Sequence, residues 1–348
     1  MPAVPPRLLE GIAPPAARQD HRASPERCIS RAPFISVRWF FVKPAYLNLL
    51  ESGDLERRVS EAWKRLEDCD LCARYCRMNR METIKGAVCR VGEHAVVCSH
   101  GPHHGEEDPL RGRSGSGTIF FSWCNLRCVF CQNWDISQKG IGRHVGPEEL
   151  ARMMLELQAM GCHNINFVSP SHVVAQIIAA VAIAAERGLE LPLVYNTGGY
   201  DSLEALRLLD GIIDIYMPDM KYGDADKAHR FSHVRNYVEF NREAVREMHR
   251  QVGDLALDEN GIAVRGLLVR HLVLPENISG TDRVLEFIAR EISPGTYLNL
   301  MDQYRPCYRA DENPPLDRPI TSREFSQAIA WADNLGLSRL DGRPSPAP

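Results

Sequence analysis

Three observations predict an α/β chain built as an open, parallel (β/α)6 partial TIM barrel. Six short apolar runs alternate with six helical patterns, polar residues gather just after the runs, and a tight cysteine group follows the first of them. Strand–helix alternation of this kind implies parallel strands joined by right-handed crossovers, with chemistry at the strands' C-terminal ends.

Thr118–Ser122 reads as the first strand. The helix over 147–160 starts at Pro147 and Glu148, and Asn164–Val168 is the second strand. Ser171–Arg187 is a helix closed by Gly188. Leu191–Asn196 is a strand followed by helix Leu203–Leu209, and Ile212–Met217 a strand followed by helical segments across 225–252. Leu267–Leu274 leads to helix Asp282–Ile292, and Tyr297–Met301 to helix Ser322–Leu335.

These units place a core barrel at residues 113–336, preceded by a cysteine-rich segment at 44–112. Residues 1–43 are rich in Pro, Ala and Arg, without periodicity, and are expected to be a disordered extension. An organelle transit peptide is weakened there by Glu10, Asp20 and Glu26. Residues 337–348 form an expected loose tail.

Composition narrows the function. With 44% hydrophobic residues over 348, the chain can bury a large core. Eleven cysteines in so long a chain, without a cationic-then-apolar leader, point to a reducing cytoplasm rather than a disulfide framework. The longest apolar stretch, Val173 to Ala185, is too short to span a bilayer, contains Gln176, and reads as a buried helix. A net charge of −4 with no basic run argues against nucleic acid.

Cys124-Asn-Leu-Arg-Cys128-Val-Phe-Cys131 carries the most chemistry. Three thiols on a short loop can hold three irons of a cubane [4Fe–4S] cluster and leave the fourth open, whereas structural zinc normally takes four protein ligands. The bland alternative is three buried cysteines that happen to cluster after a strand. Upstream, Cys69, Cys72, Cys76 and Cys89 can close around one metal, either zinc or an auxiliary iron–sulfur cluster, which spacing does not separate. His100, His103 and His104 beside Cys98 are solvated loop residues or neighbours of substrate or cluster. Cys162 is expected to be buried, and Cys28 and Cys307 have no nameable partner.

The loop resembles the radical S-adenosylmethionine (radical SAM) superfamily signature Cys-x3-Cys-x-aromatic-Cys, with Phe130 as the aromatic. The resemblance implies that the amino and carboxylate groups of S-adenosylmethionine chelate the open iron and that Phe130 lies near the adenine. One electron then splits a C–S bond to give a 5′-deoxyadenosyl radical. Across residues 45 to 335 the strand ends are similar to the activating enzymes of glycyl radical enzymes. Asn196-Thr-Gly-Gly199 and Asp219-Met-Lys221 stand where that family binds the methionine portion of the cofactor, so Asn196, Thr197, Asp219 and Lys221 are carried over, with His271 as a further transfer.

Where that family has Gly-Gly-Glu-Pro, this chain has Val168-Ser-Pro-Ser171, so Ser169, Ser171 or His172 would substitute, or iron and other strands alone would hold the amino group. Taken singly, Asn-Thr-Gly-Gly is a common turn, Asp219 and Lys221 a possible solvated ion pair, and His271 an ordinary core histidine. The resemblance implies a flavodoxin or ferredoxin as reductant and a backbone glycine of a partner protein as target. Alternatives are radical modification of another peptide or small metabolite, or a non-catalytic zinc-binding interaction module.

Overall fold

The computed structural model describes residues 43–342; the expected N-terminal extension up to residue 42 and the tail from residue 343 lie outside the described residues. In chain order come α1 (Tyr46–Ser52), α2 (Asp54–Lys64), β1 (Ala95–His103), α3 (Asp108–Arg111), β2 (Ser116–Phe121), α4 (Trp134–Lys139), β3 (Arg143–Val145), α5 (Pro147–Ala159) and β4 (Ile165–Val168). There follow α6 (Val174–Glu186), β5 (Leu193–Thr197), α7 (Leu203–Leu209), β6 (Ile215–Pro218), α8 (Ala225–Ser232), α9 (Tyr237–Val252), β7 (Ala256–Leu257), β8 (Ala263–Leu272), α10 (Thr281–Phe287), β9 (Tyr297–Met301) and α11 (Ser322–Asn334).

The six expected strands are β2, β4, β5, β6, β8 and β9, paired parallel in that order. The sheet stays open, because antiparallel β1 takes the other edge of β2, and β3 then pairs β1. Neither β1, β3 nor the short β7 on β8 was expected. β1 carries Cys98, His100 and Pro102, and a run with so few apolar residues gives little strand signal.

Local signals set the helices. Pro147 with Glu148 and Glu149 opens α5, and Thr321 and Glu324 form a reciprocal capping box on α11. The expected helical run across 225–252 breaks into α8 and α9 at His233, whose φ of 57° ends the first helix. α6 is buried as expected, packed between α5 and α2. Its wholly buried Gln176 donates to the carbonyls of Gly92 and Glu93, fastening the cysteine-rich segment to the barrel wall. Among the described residues no helix is long and apolar enough to cross a membrane.

Side-chain alternation divides the sheet into two faces. Phe167, Tyr195, Tyr216, Leu267 and Val269 pack outward into the large core shared with the helices. Val194, Ile215, Met217, Leu268 and Tyr297 form a separate inner cluster. By the same parity Asn166, Asn196, Arg270 and Asn299 belong to the inner face, and Thr197 and His271 to the outer one.

Candidate iron–sulfur and cofactor site

The cysteine loop leaves the C-terminal end of β2 and is clamped by backbone bonds from both sides. Val129 N donates to the Phe231 carbonyl at 2.9 Å, and Arg309 N donates to Val129 at 2.8 Å. Asn125, buried, gives its Nδ2 to the Tyr200 carbonyl at 2.7 Å, while Arg74 Nε donates to the Asn125 carbonyl at 2.7 Å. Trp123 takes φ 68°, and it lies so near Gly140 that a Cβ there would stand 2.1 Å from the indole.

All three thiols are free and each has a polar partner. Cys124 Sγ accepts from Leu126 N at 3.4 Å, and Cys128 Sγ accepts from the Ser232 hydroxyl at 2.9 Å, itself 2.8 Å from the Tyr222 hydroxyl. Cys131 Sγ lies 3.1 Å from Ser137 Oγ. Burial pushes the Cys128 thiol up to about 12, with the Lys221 charge pulling the other way, and burial raises Cys124 as well. Such thiols become thiolates only when a cationic centre replaces their protons. Among the described residues no three His, Cys, Asp or Glu side chains converge on a single-ion cage. A cubane, with iron and sulfide between its ligands, needs a wider spread of thiols than one ion. Soft donors, hydrogen bonds to the sulfurs and a facing cation fit such a cluster.

Beside the thiols stands a charged network. Asp219 receives Lys221 Nζ on Oδ2 at 2.5 Å and Arg270 Nε on Oδ1 at 3.0 Å, and Arg270 Nη2 donates to Asn196 Oδ1 at 2.7 Å. Burial alone would raise the Asp219 carboxyl, but Arg270 and Lys221 more than offset it and hold it below the usual range. With its oxygen committed to Arg270, Asn196 keeps its amide N–H groups as donors on the inner face. Gly198 lets the chain pass here, since a Cβ would stand 3.0 Å from Leu126. Phe130 is buried edge-on against Tyr222 and Tyr304, at ring separations of 6.4 and 6.1 Å.

The structure therefore brings Asn196, Asp219 and Lys221 together near the cysteine loop and leaves other expected cofactor contacts elsewhere. Thr197 and Ser171, 1% and 2% exposed, bond each other at 2.8 Å, and Thr197 also donates to Asp201 Oδ2 at 2.7 Å. Their hydroxyls shape the Gly198-Gly199 turn from behind; Gly199 N donates to Thr197 Oγ1. His271 points outward, its ring committed to the Met220 carbonyl at 2.6 Å and Thr281 Oγ1 at 2.9 Å, and burial lowers it to about 4. The strand position facing the site is its neighbour Arg270, which strand parity would have identified. His172 is likewise buried, bonded to the Ser122 carbonyl and lowered to about 3 by burial, so it buttresses the loop as a neutral ring. Ser169 remains half-buried at φ 60°, its N–H on the Asn196 carbonyl at 2.9 Å.

The histidines of β1 also lie away from the thiols, because β1 runs antiparallel to β2 and carries them to its N-terminal end, where His103 pairs with Ser116. His100 bonds Glu156, and His103 stands 3.6 Å from Glu106. Glu106 and Glu107 rise from this end into the barrel. Glu107 accepts from Asn299 at 2.8 Å, and Glu106 lies 4.0 Å from Arg270. Burial raises Glu106 to about 7 despite Arg270, with Glu107 adding to the rise. Cys162 is buried as expected, Cys307 is half-exposed, and Cys28 lies outside the described residues.

Cys69, Cys72 and Cys89 are buried and Cys76 half-buried, on a knuckle of turns rather than a helix, with Tyr75 and Arg77 at positive φ. Arg80, 2% exposed, donates Nη1 to Cys69 Sγ at 3.5 Å, Nε to Val91 O at 2.7 Å and Nη2 to Gly92 O at 3.2 Å. It has no carboxylate partner among the described residues, and the groups placed to balance its charge are the sulfurs of Cys89, Cys69 and Cys72. A hydrogen bond from Cys76 lowers Cys69 to about 5, burial raises it, and Arg80 lowers it further. A thiolate site suits this buried cation. Spacing gave no sign that the two cysteine groups are neighbours: Arg127, between Cys124 and Cys128, donates to the Val88 carbonyl and lies within electrostatic reach of both Cys124 and Cys89.

A family model, that of the radical SAM superfamily, matches residues 118–288, which run from β2 through α10 and include the cysteine loop and the Asn196–Arg270 network. The chain is 32% identical over 310 residues to the uncharacterized protein MJ0674 of Methanocaldococcus jannaschii, covering 86% of this chain and 82% of that one. It is 25% identical over 300 residues to the uncharacterized protein MJ0808 of the same organism, covering 80% and 83%. Among solved structures, HydG, a maturase of the [FeFe]-hydrogenase, superposes with a TM-score of 0.43 at 10% identity, over 84% of this chain and 64% of that one, a likeness too slight to bear on function. On the match to the cysteine-loop core and on the extended relationship to MJ0674, the chain belongs to the radical SAM superfamily.

Proposed function

We propose that Cys124, Cys128 and Cys131 hold a [4Fe–4S] cluster, that S-adenosylmethionine completes it, and that the barrel directs hydrogen abstraction from a bound target. When bound, the pair supplies a 5′-deoxyadenosyl radical by reductive cleavage of the cofactor. The observation that carries this reading is the loop itself: three free, hydrogen-bonded thiols at the C-terminal edge of a parallel sheet, with Lys221 facing two of them.

The chain's own residues then have definite tasks. Lys221 keeps N–H donors beyond the one given to Asp219, and these suit the carboxylate of the methionine portion. Asn196 offers its amide donors beside it, oriented by Arg270. Phe130, Tyr222, Tyr304, Leu126 and Val129 form an apolar wall that excludes water from a reactive intermediate. Cys69, Cys72, Cys76 and Cys89 hold an auxiliary iron–sulfur cluster rather than a single zinc ion, since among the described residues no three such thiols converge on a single-ion cage, with Arg80 as its counter-charge.

The target in this reading is a backbone glycine of a partner protein, supported by the Asn196-Thr-Gly-Gly199 and Asp219-Met-Lys221 segments, and the reductant a flavodoxin or ferredoxin. One observation favours a second reading, a small polar metabolite: the barrel floor presents Glu106, Glu107 and Asn299 inward, charge that a glycine backbone does not need.

Electron paramagnetic resonance of anaerobically reconstituted, reduced protein tests the central assignment. The reading predicts a cluster signal that changes on adding S-adenosylmethionine and is absent from the Cys124→Ala, Cys128→Ala, Cys131→Ala variant. A fully loaded cluster whose signal ignores the cofactor would contradict it.

A further inference from the structure

Between the two cysteine segments lies a cavity of about 420 Å³ lined by Arg74, Gly86, Val88, Arg90, Arg127 and His233. Its charge has one sign. Arg74 gives its nitrogens to the carbonyls of Asn125 and His233, at 2.7 and 3.3 Å. Arg127 donates to Gln138 Oε1 at 3.0 Å and to the Val88 carbonyl, and Arg90 lies 4.9 Å over the Trp123 ring. Among the described residues no carboxylate pairs with any of the three guanidiniums. The three guanidiniums line one hollow, so their like charges repel one another there. An incoming anion would relieve that repulsion.

The place of the cavity is as informative as its charge. Arg127 stands inside the cysteine loop, between Cys124 and Cys128, and Arg90 covers the residue just before Cys124. The segment that supplies Gly86, Val88 and Arg90 also exposes Ile84 (49%) and Met81 (37%). Exposed apolar side chains beside a basic hollow offer a protein surface something to bury, which a free phosphate does not need.

We propose that this cavity receives a carboxylate from the acidic surface of a small one-electron carrier protein, docking it against the cysteine loop. The inference rests on the cluster assignment above. One electron leaves the reduced carrier and enters the oxidised cluster, with no bond made or broken.

The test is binding of a fluorescently labelled acidic flavodoxin to the holoprotein, followed by anisotropy across a salt series. Arg90 is exposed and makes no side-chain hydrogen bond among the described residues, so Arg90→Glu leaves the loop's hydrogen-bonded anchors intact and removes only its contact with the Trp123 ring. The expected result is salt-sensitive binding that weakens about tenfold in Arg90→Glu and less in Arg90→Gln, but is unchanged in the distant control Arg290→Glu. Cluster reduction by dithionite should be the same in all four proteins. Equal affinity in wild type and Arg90→Glu, equal weakening in the control, or binding of millimolar inorganic phosphate with no salt-dependent flavodoxin binding would overturn the proposal. A protein that binds flavodoxin as expected yet assembles no cluster would instead sink the cluster assignment.

Discussion

Arg270 joins Asp219 and Asn196 from a neighbouring strand, its Nε 3.0 Å from Asp219 Oδ1 and its Nη2 2.7 Å from Asn196 Oδ1. One guanidinium thus fixes both the carboxylate that holds Lys221 and the side-chain amide of Asn196. Its task is positioning, and the planar fork of arginine suits it where lysine would not.

Arg270→Met should therefore weaken S-adenosylmethionine binding about tenfold and cost on the order of 3 kcal/mol of stability, because Asp219 loses one of its two cations. His271→Leu, one residue along, should lower the melting temperature by a few degrees, having stranded the Met220 carbonyl and Thr281 hydroxyl, yet leave cofactor affinity within about twofold. Equilibrium dialysis with thermal denaturation checks both. Equal loss of affinity in the two variants would contradict the facing of β8 described here.

Arg80 should decide whether the upstream thiols hold their metal. In Arg80→Met the sulfurs lose their buried counter-charge, so metal bound per chain should fall by the complement of that site while the Cys124 site stays loaded. Elemental analysis of this variant beside Cys69→Ala checks it: both should lose the same metal. Retention of wild-type metal by Arg80→Met would contradict the counter-charge role.

Glu106 gives a dependence on pH. Its folded-state value, near 7, lies above its ordinary one, raised first by burial and then by Glu107. A carboxyl raised on folding binds its proton more tightly in the native state. Its contribution is therefore fully present below the unfolded value of 4.5 and is lost as pH rises through about 7. Glu106→Gln mimics the protonated form, so the melting temperature of the variant relative to wild type should climb by a few degrees between pH 4.5 and 7.5. A gap that stays flat or narrows over that range would show that Glu106 carries no raised proton.

Much of this architecture was legible in the sequence, because the six parallel strands are short apolar runs bounded by turn residues and buried on both faces. What escaped was non-local. β1 reads as a polar loop and becomes a strand only because β2 offers it a free edge. The facing of Arg270 and His271 depends on strand register, which fixes which of two adjacent residues turns inward. Thr197 and Ser171 were expected at the cofactor from their position in a motif, but Asp201, four and thirty residues on, draws both hydroxyls to the outer side. Ser232 and Tyr222, which support Cys128, carry no local signal at all; chain folding alone brings them there.

The most direct measurement is 5′-deoxyadenosine release from S-adenosylmethionine by anaerobically reconstituted, reduced protein, beside the Cys124→Ala, Cys128→Ala, Cys131→Ala variant. Wild type should release it and the variant none above background. A fully clustered, reduced wild type that releases none, with or without candidate protein and small-molecule targets, would contradict it.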